Sequence, residues 1–341
     1  MKRRTLLFTL TLLVIACSTG ATSTAYPDSQ LTGLLNSIQV RLFNDEFAAA
    51  DSLTGELIGL RRDDPAGYLF KAVTLIMRMF DREEKYREEE FHSLLDSTIV
   101  KATAVRDTAS DDARAWMCLW LGHAHAYRAL CEARFGSMLS AITIGRRARD
   151  EYRWGLLYDS TVYDLYLGLG LFHYWKSSKA GLLRTVGLIR NDMDKGIAQL
   201  RLAADSSLVS RESARHALVW IRLDQKEYDS VIAICREALS RYPAGKAPLW
   251  ALAQALFESR RYRDAAEVYE ELRNRVAEVP GNYYNLIECD FARHRCYEKL
   301  KDFDRARQVA RQARSYLDDV PRKTLRRQRT KIAFLRRAAR I

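Results

Sequence analysis

Tyr262-Arg263-Asp264-Ala265-Ala266-Glu267-Val268-Tyr269-Glu270-Glu271-Leu272 is the stretch from which the fold can be read. Its apolar or small residues Tyr262, Ala265, Tyr269 and Leu272 fall at offsets 0, 3, 7 and 10, on one face of a helix, and the charges fall on the other. The pattern recurs as Phe303, Ala306, Ala310, Ala313, as Tyr228, Val231, Cys235, Ala238, and as Met193, Gly196, Leu200, Ala203. A fainter copy is Phe47, Ala50, Thr54, Leu57. From Met193 onward the starts are separated by 35, 34 and 41 residues. A helix with small residues on its buried face invites a second helix to lie close. A period near 34 residues means that such pairs stack in an array.

Proline marks the same phase. Pro65, Pro280 and Pro321 each follow one of these aromatics (Phe47, Tyr262, Phe303) by 18 residues, and Pro243 follows Tyr228 by 15. At a helix start a missing N–H costs nothing. The partner helices carry Trp120-Leu121-Gly122 and Tyr166-Leu167-Gly168-Leu169-Gly170-Leu171-Phe172-His173-Tyr174. Together these features resemble the tetratricopeptide repeat, closely over residues 160–317 and more loosely over 30–158. The resemblance implies an all-α solenoid, a right-handed superhelix of stacked helix pairs with a groove lined by first helices. Seven pairs are expected, over roughly 30–62, 65–106, 110–157, 160–205, 211–241, 246–277 and 281–317. Residues 30–158 would be divergent repeats, 159–320 regular ones, and 321–341 a basic capping helix. Thr54, Gly196 and the 17 residues between Trp175 and Met193 depart from the pattern. Within that interval the apolar stretch around Ala180–Leu183 and Val186–Ile189 is expected to tuck against the array.

Composition agrees with the class. Apolar residues make up 48% of the 341, enough for a large core, while 16 glycines and 6 prolines suit neither a β-sandwich nor a disordered chain. The net charge of +12 resides at the ends: Lys2, Arg3 and Arg4 at the start, and nine basic residues without an acid over 322–341. The stretch between is balanced, so no basic face tracks a nucleic-acid backbone. The tail places Leu325, Ile332, Leu335 and Ala339 on one face, which suits a cap on the last repeat. Contact with anionic lipid is the other use of its arginines.

The first residues read as an export signal. A positive segment precedes twelve apolar residues, Thr5 to Ala16, too few to span a bilayer comfortably. The run ends in Val14-Ile15-Ala16-Cys17, similar to the bacterial lipobox. That resemblance implies cleavage of residues 1–16 and acylation of Cys17, with residues 17–29 as a flexible tether. Ser18 in place of Asp favours the outer membrane, periplasmic side. Ordinary cleavage with release to the periplasm is the alternative.

No catalytic motif is visible: no GxSxG, phosphate-binding loop or dinucleotide fingerprint. His123 and His125 point about 200° apart on a helix and no CxxC pair occurs, so neither a metal nor another cofactor is expected. Cys118, Cys131, Cys235, Cys289 and Cys296 read as buried small apolar residues. The function expected is a scaffold that binds a protein partner of the cell envelope. By repeat position its groove residues are Leu167, Leu171, Tyr174 with Trp175 beside it, His216, Trp220, Trp250, Gln254, Phe257, Phe291 and Arg295. The aromatic richness of 116–175 motivates an alternative, a carrier of an apolar small ligand. An enclosed cavity would favour the carrier and an open groove the scaffold.

Overall fold

The computed structural model describes residues 26–178 and 190–340, in which sixteen α-helices and no strand are found. The signal segment, the lipobox and the apolar stretch 179–189 lie outside the described residues. Fourteen helices form seven antiparallel pairs: α1 (Ser29–Phe43) with α2 (Phe47–Leu60), α3 (Pro65–Arg82) with α4 (Glu88–Arg106), α5 (Asp111–Phe135) with α6 (Met138–Tyr158), α7 (Leu165–Ser178) with α8 (Met193–Ser206), α9 (Arg211–Asp224) with α10 (Tyr228–Arg241), α11 (Lys246–Glu258) with α12 (Tyr262–Ala277), and α13 (Tyr283–Lys299) with α14 (Phe303–Leu317). Successive pairs stack into a solenoid, and each first helix from α1 to α9 also touches the next first helix along. No described helix is long and apolar enough to cross a membrane.

The repeated pattern is visible in the backbone. Met193, Phe47, Tyr228, Tyr262 and Phe303 each open the second helix of their pair. In four of those pairs the residue two positions earlier is left-handed: Asp45 (φ 58°), Lys226 (64°), Arg260 (65°) and Lys301 (59°). The next N–H then reaches back five residues, as in Glu227 N to Arg222 O at 2.9 Å and Arg261 N to Leu256 O at 2.8 Å. This closes the first helix and fixes the entry angle of the second.

The departures from the pattern have local causes. Thr54 is buried but donates its hydroxyl to Asp51 O at 2.8 Å. Gly196 faces Gly170 across the α7–α8 crossing, where a Cβ on Gly196 would lie 2.7 Å from the Gly170 carbonyl oxygen, so alanine does not fit there.

Two expectations about the ends are corrected. Tyr26, Pro27 and Asp28 are docked rather than part of a tether. Tyr26 donates its hydroxyl to Asp64 at 3.1 Å and accepts from Trp120 Nε1 at 2.8 Å, while Asp28 caps α1 through Leu31 N. The basic tail is two helices, α15 (Arg322–Arg327) and α16 (Arg329–Ala338). The break falls at Gln328, a buried side chain that donates to Glu288 at 2.6 Å. Ile332 and Leu335 are buried against Ile287, Ala313 and Leu317.

The array also curls until its first two pairs meet its last three. Asn44 and Asp45, in the α1–α2 turn, accept from Ala244 N (3.1 Å) and Lys246 N (2.7 Å), so that Asp45 caps α11 from 201 residues away. The Lys246 ammonium lies between Asp45 (3.4 Å) and Asp81 (3.1 Å). The Asp81 carbonyl accepts from Asn282 and Asn285, and Glu83 pairs with Arg327 at 2.8 Å. Phe43 packs on Tyr242 with ring centroids 5.2 Å apart. A Cβ at Gly245 would come within 2.4 Å of the Phe43 carbonyl oxygen.

Candidate functional site

The third pair sets up the site. Helix α5, with 25 residues, is the longest described helix and spans about 37 Å at 1.5 Å per residue. Near the tip of the α5–α6 hairpin apolar residues stand in water: Leu130 is 48% exposed, Met138 60% and Ile142 48%. Between this tip and α7 lies a cleft of about 1180 Å³. Tyr127, Leu130, Met138 and Ile142 form one wall, and Leu171, Phe172 and Trp175 form the other. Tyr152 and His123 lie at the base, with Tyr152 Oη 2.8 Å from His123 Nδ1. Burial pushes the His123 imidazolium down to about 4, so the ring is neutral at pH 7.

The described lining includes four basic residues, Arg146, Arg149, Lys176 and Arg190, and no acid. Arg149 is paired with Asp150 at 2.6 Å and lies 5.2 Å from the centre of the Phe172 ring. Lys176 and Arg190 share Asp192. The cleft thus has an apolar, aromatic interior with guanidinium and ammonium groups on its rim. This suits an amphipathic occupant.

The residues expected in the groove divide into three sets. Leu171 and Trp175 line the cleft. Leu167 also lines it, at 8% exposure, while Tyr174 is inside at 1% exposure, a strut whose hydroxyl donates to Asp224 at 2.8 Å. The remaining residues follow the first helices onward. His216 and Trp220 are half-buried and joined, Trp220 Nε1 donating to His216 Nε2 at 2.9 Å. Trp250 is half-buried against Tyr269, Phe257 against Tyr262, and Gln254 is exposed. Phe291 is partly covered by the cap, with Phe334 5.3 Å away and Lys331 over its ring, and Arg295 shares a hollow of about 510 Å³ with Phe291 and Phe334.

The hairpin tip was missed by repeat position, because Leu130, Met138 and Ile142 occupy no repeat site. The signal available was the length of the third pair together with Met138, Leu139 and Ile142 near a turn.

Comparison with known proteins bears on the scaffold rather than on the cleft. A tetratricopeptide repeat family model matches residues 222–288, from the end of α9 into α13. No curated protein matches the chain. Among solved structures the chain is similar to the crystal structure of yeast Tom70, at 13% identity and a TM-score of 0.40, over 86% of this chain and 59% of that one. The chain therefore spans about three fifths of that protein's length. The family match and the repeated pairs give an all-α solenoid of the tetratricopeptide type.

Proposed function

We propose that this chain is an interaction scaffold of a bacterial cell envelope, anchored through lipid on Cys17 to the periplasmic side of the outer membrane. A partner polypeptide lays an apolar segment with acidic flanks into the α5–α7 cleft. The observation that carries the reading is the exposed hairpin tip, where Leu130, Met138 and Ile142 stand in water beside a basic rim. Apolar anchors in a cleft dominate binding energy, and rim charges steer the approach. The tetratricopeptide repeats support a protein partner. The carrier reading calls for an enclosed cavity, and the exposure of Leu130, Met138 and Ile142 supports the scaffold instead.

A photo-crosslinking residue placed at Ile142, at Leu171 or at the exposed Val100 of α4 tests the assignment in a bacterium labelled with palmitate. We expect one discrete adduct from positions 142 and 171 and none from 100, with label lost in Cys17→Ser. Equal adducts at all three positions would overturn the cleft, and label retained in Cys17→Ser would overturn the anchor.

A further inference from the structure

Where α4 begins against the end of α5, three different kinds of ligand atom converge. Glu88 is the first residue of α4, His92 stands one turn later on the same face, and Cys131 comes from the last turns of α5. A carboxylate oxygen, a ring nitrogen and the sulfur lie within 4.8 Å of one another, and Glu88 Oε1 is 4.0 Å from His92 Nε2. Cys131 is buried, whereas Glu88 and His92 are about one-third exposed, so the cluster is dry on the sulfur side and open on the other.

We propose that Glu88, His92 and Cys131 hold a divalent transition metal of the zinc kind, with the fourth position left to water. The donor set selects the ion. Thiolate and imidazole are poor ligands for magnesium and calcium, which take oxygen, whereas one sulfur, one nitrogen and one oxygen suit zinc. The geometry is within reach: tetrahedral bonds of about 2.0–2.3 Å place ligand atoms about 3.3–3.8 Å apart. Rotation of the two half-exposed side chains supplies that contraction, while the buried sulfur stays in place.

One neighbour opposes the ion. Lys85 Nζ donates to Glu88 Oε1 at 2.6 Å. It competes for the oxygen nearest His92, but its side chain is 40% exposed on a flexible stem, so the ion displaces the ammonium to solvent on binding. Sulfur binds the ion as thiolate, so binding releases the Cys131 proton to solvent. The ion would tie the first turn of α4 to α5 beside the left-handed residues Glu83 and Arg87 of the α3–α4 connection. Sequence spacing conceals the site, because Glu88 and His92 are an ordinary i, i+4 pair until α5 delivers a sulfur 39 residues on.

The test is titration of the full, reduced chain with cobalt(II), a spectroscopic substitute for zinc. We expect one equivalent to bind with a thiolate-to-cobalt charge-transfer band that zinc bleaches. The band should vanish in Cys131→Ser, and affinity should fall at least tenfold in His92→Gln. Zinc should raise the melting temperature of the parent by several degrees and leave that of His92→Gln unmoved. His92 is on the surface, so that variant reports on the metal even if Cys131→Ser folds poorly. A parent without the band, or a band that survives in Cys131→Ser, overturns the proposal.

Discussion

His216 shows how burial sets the charge of a ring that accepts a hydrogen bond. Its Nε2 accepts from Trp220 Nε1, and a protonated imidazole has no lone pair to offer there. Burial pushes its pKa down to about 4, and His123 behaves alike. A histidine depressed in the folded state takes up its proton first in the unfolded chain. Stability from His216 is therefore complete above pH 6.5 and is lost as the pH falls towards 4. His216→Gln keeps an acceptor near the Nε2 position and removes the titration. The variant should match the parent at pH 7.5 in urea unfolding and exceed it by about 2 kcal/mol at pH 4.5. Parallel stability profiles across that range would show that His216 does not titrate on unfolding. The repeat spacing located His216 and Trp220 on one helix face, since they are one turn apart. It gave no sign that they bond to each other or that Tyr174 is buried, because those outcomes depend on neighbouring helices.

Among the elements, the cap is where charge and apolar face compete. Three of its basic residues are engaged with the array: Arg327 with Glu83, Lys331 with Glu288, and Arg336 with Asp318. Leu335 is fully buried under the last pair. Leu335→Asp should lower the melting temperature by several degrees through loss of roughly 2 kcal/mol or more of apolar burial. Binding to anionic vesicles should be unchanged. A melting temperature equal to the parent's would mean that the cap contributes no stability, and weaker vesicle binding would make α15 and α16 a membrane arm. The cap's apolar face was legible because its residues repeat at helical spacing. Its break at Gln328 was not, since nothing local stops a helix there; the side chain is drawn in by Glu288 on α13.

At the scale of the whole molecule, the contacts between the first and last pairs change what kind of object the array is. An open solenoid gains stability only from nearest neighbours, so its ends unfold independently. Here Lys246 stands between Asp45 and Asp81, contributed by the first two pairs, with all three side chains largely shielded from water. Burial pushes the Asp45 carboxyl up, and Lys246 draws it back down. Lys246→Ala leaves two shielded carboxylates facing each other, which should cost about 3 kcal/mol. The radius of gyration in solution scattering should rise as the ends part. Asp45→Asn and Asp81→Asn combined with Lys246→Met remove all three charges together and should recover much of the loss. An unchanged radius with a loss below about 1 kcal/mol would show that closure does not rest on this ion group.

The sequence by itself determined the repeat: seven helix pairs, their approximate phase, and the residue that opens the second helix in five of them. Those features depend on interactions within about 35 residues, and a 3.6-residue periodicity with small residues on one face records them directly. Only the tertiary structure decided which faces remain open. The closure of Asp45 on Lys246, the cluster of Glu88, His92 and Cys131, and the exposed tip at Leu130 and Ile142 follow from how pairs stack and curl. A side chain's local pattern states that it faces a neighbour; it does not state how long that neighbour is, or which distant helix the curvature of the array brings against it.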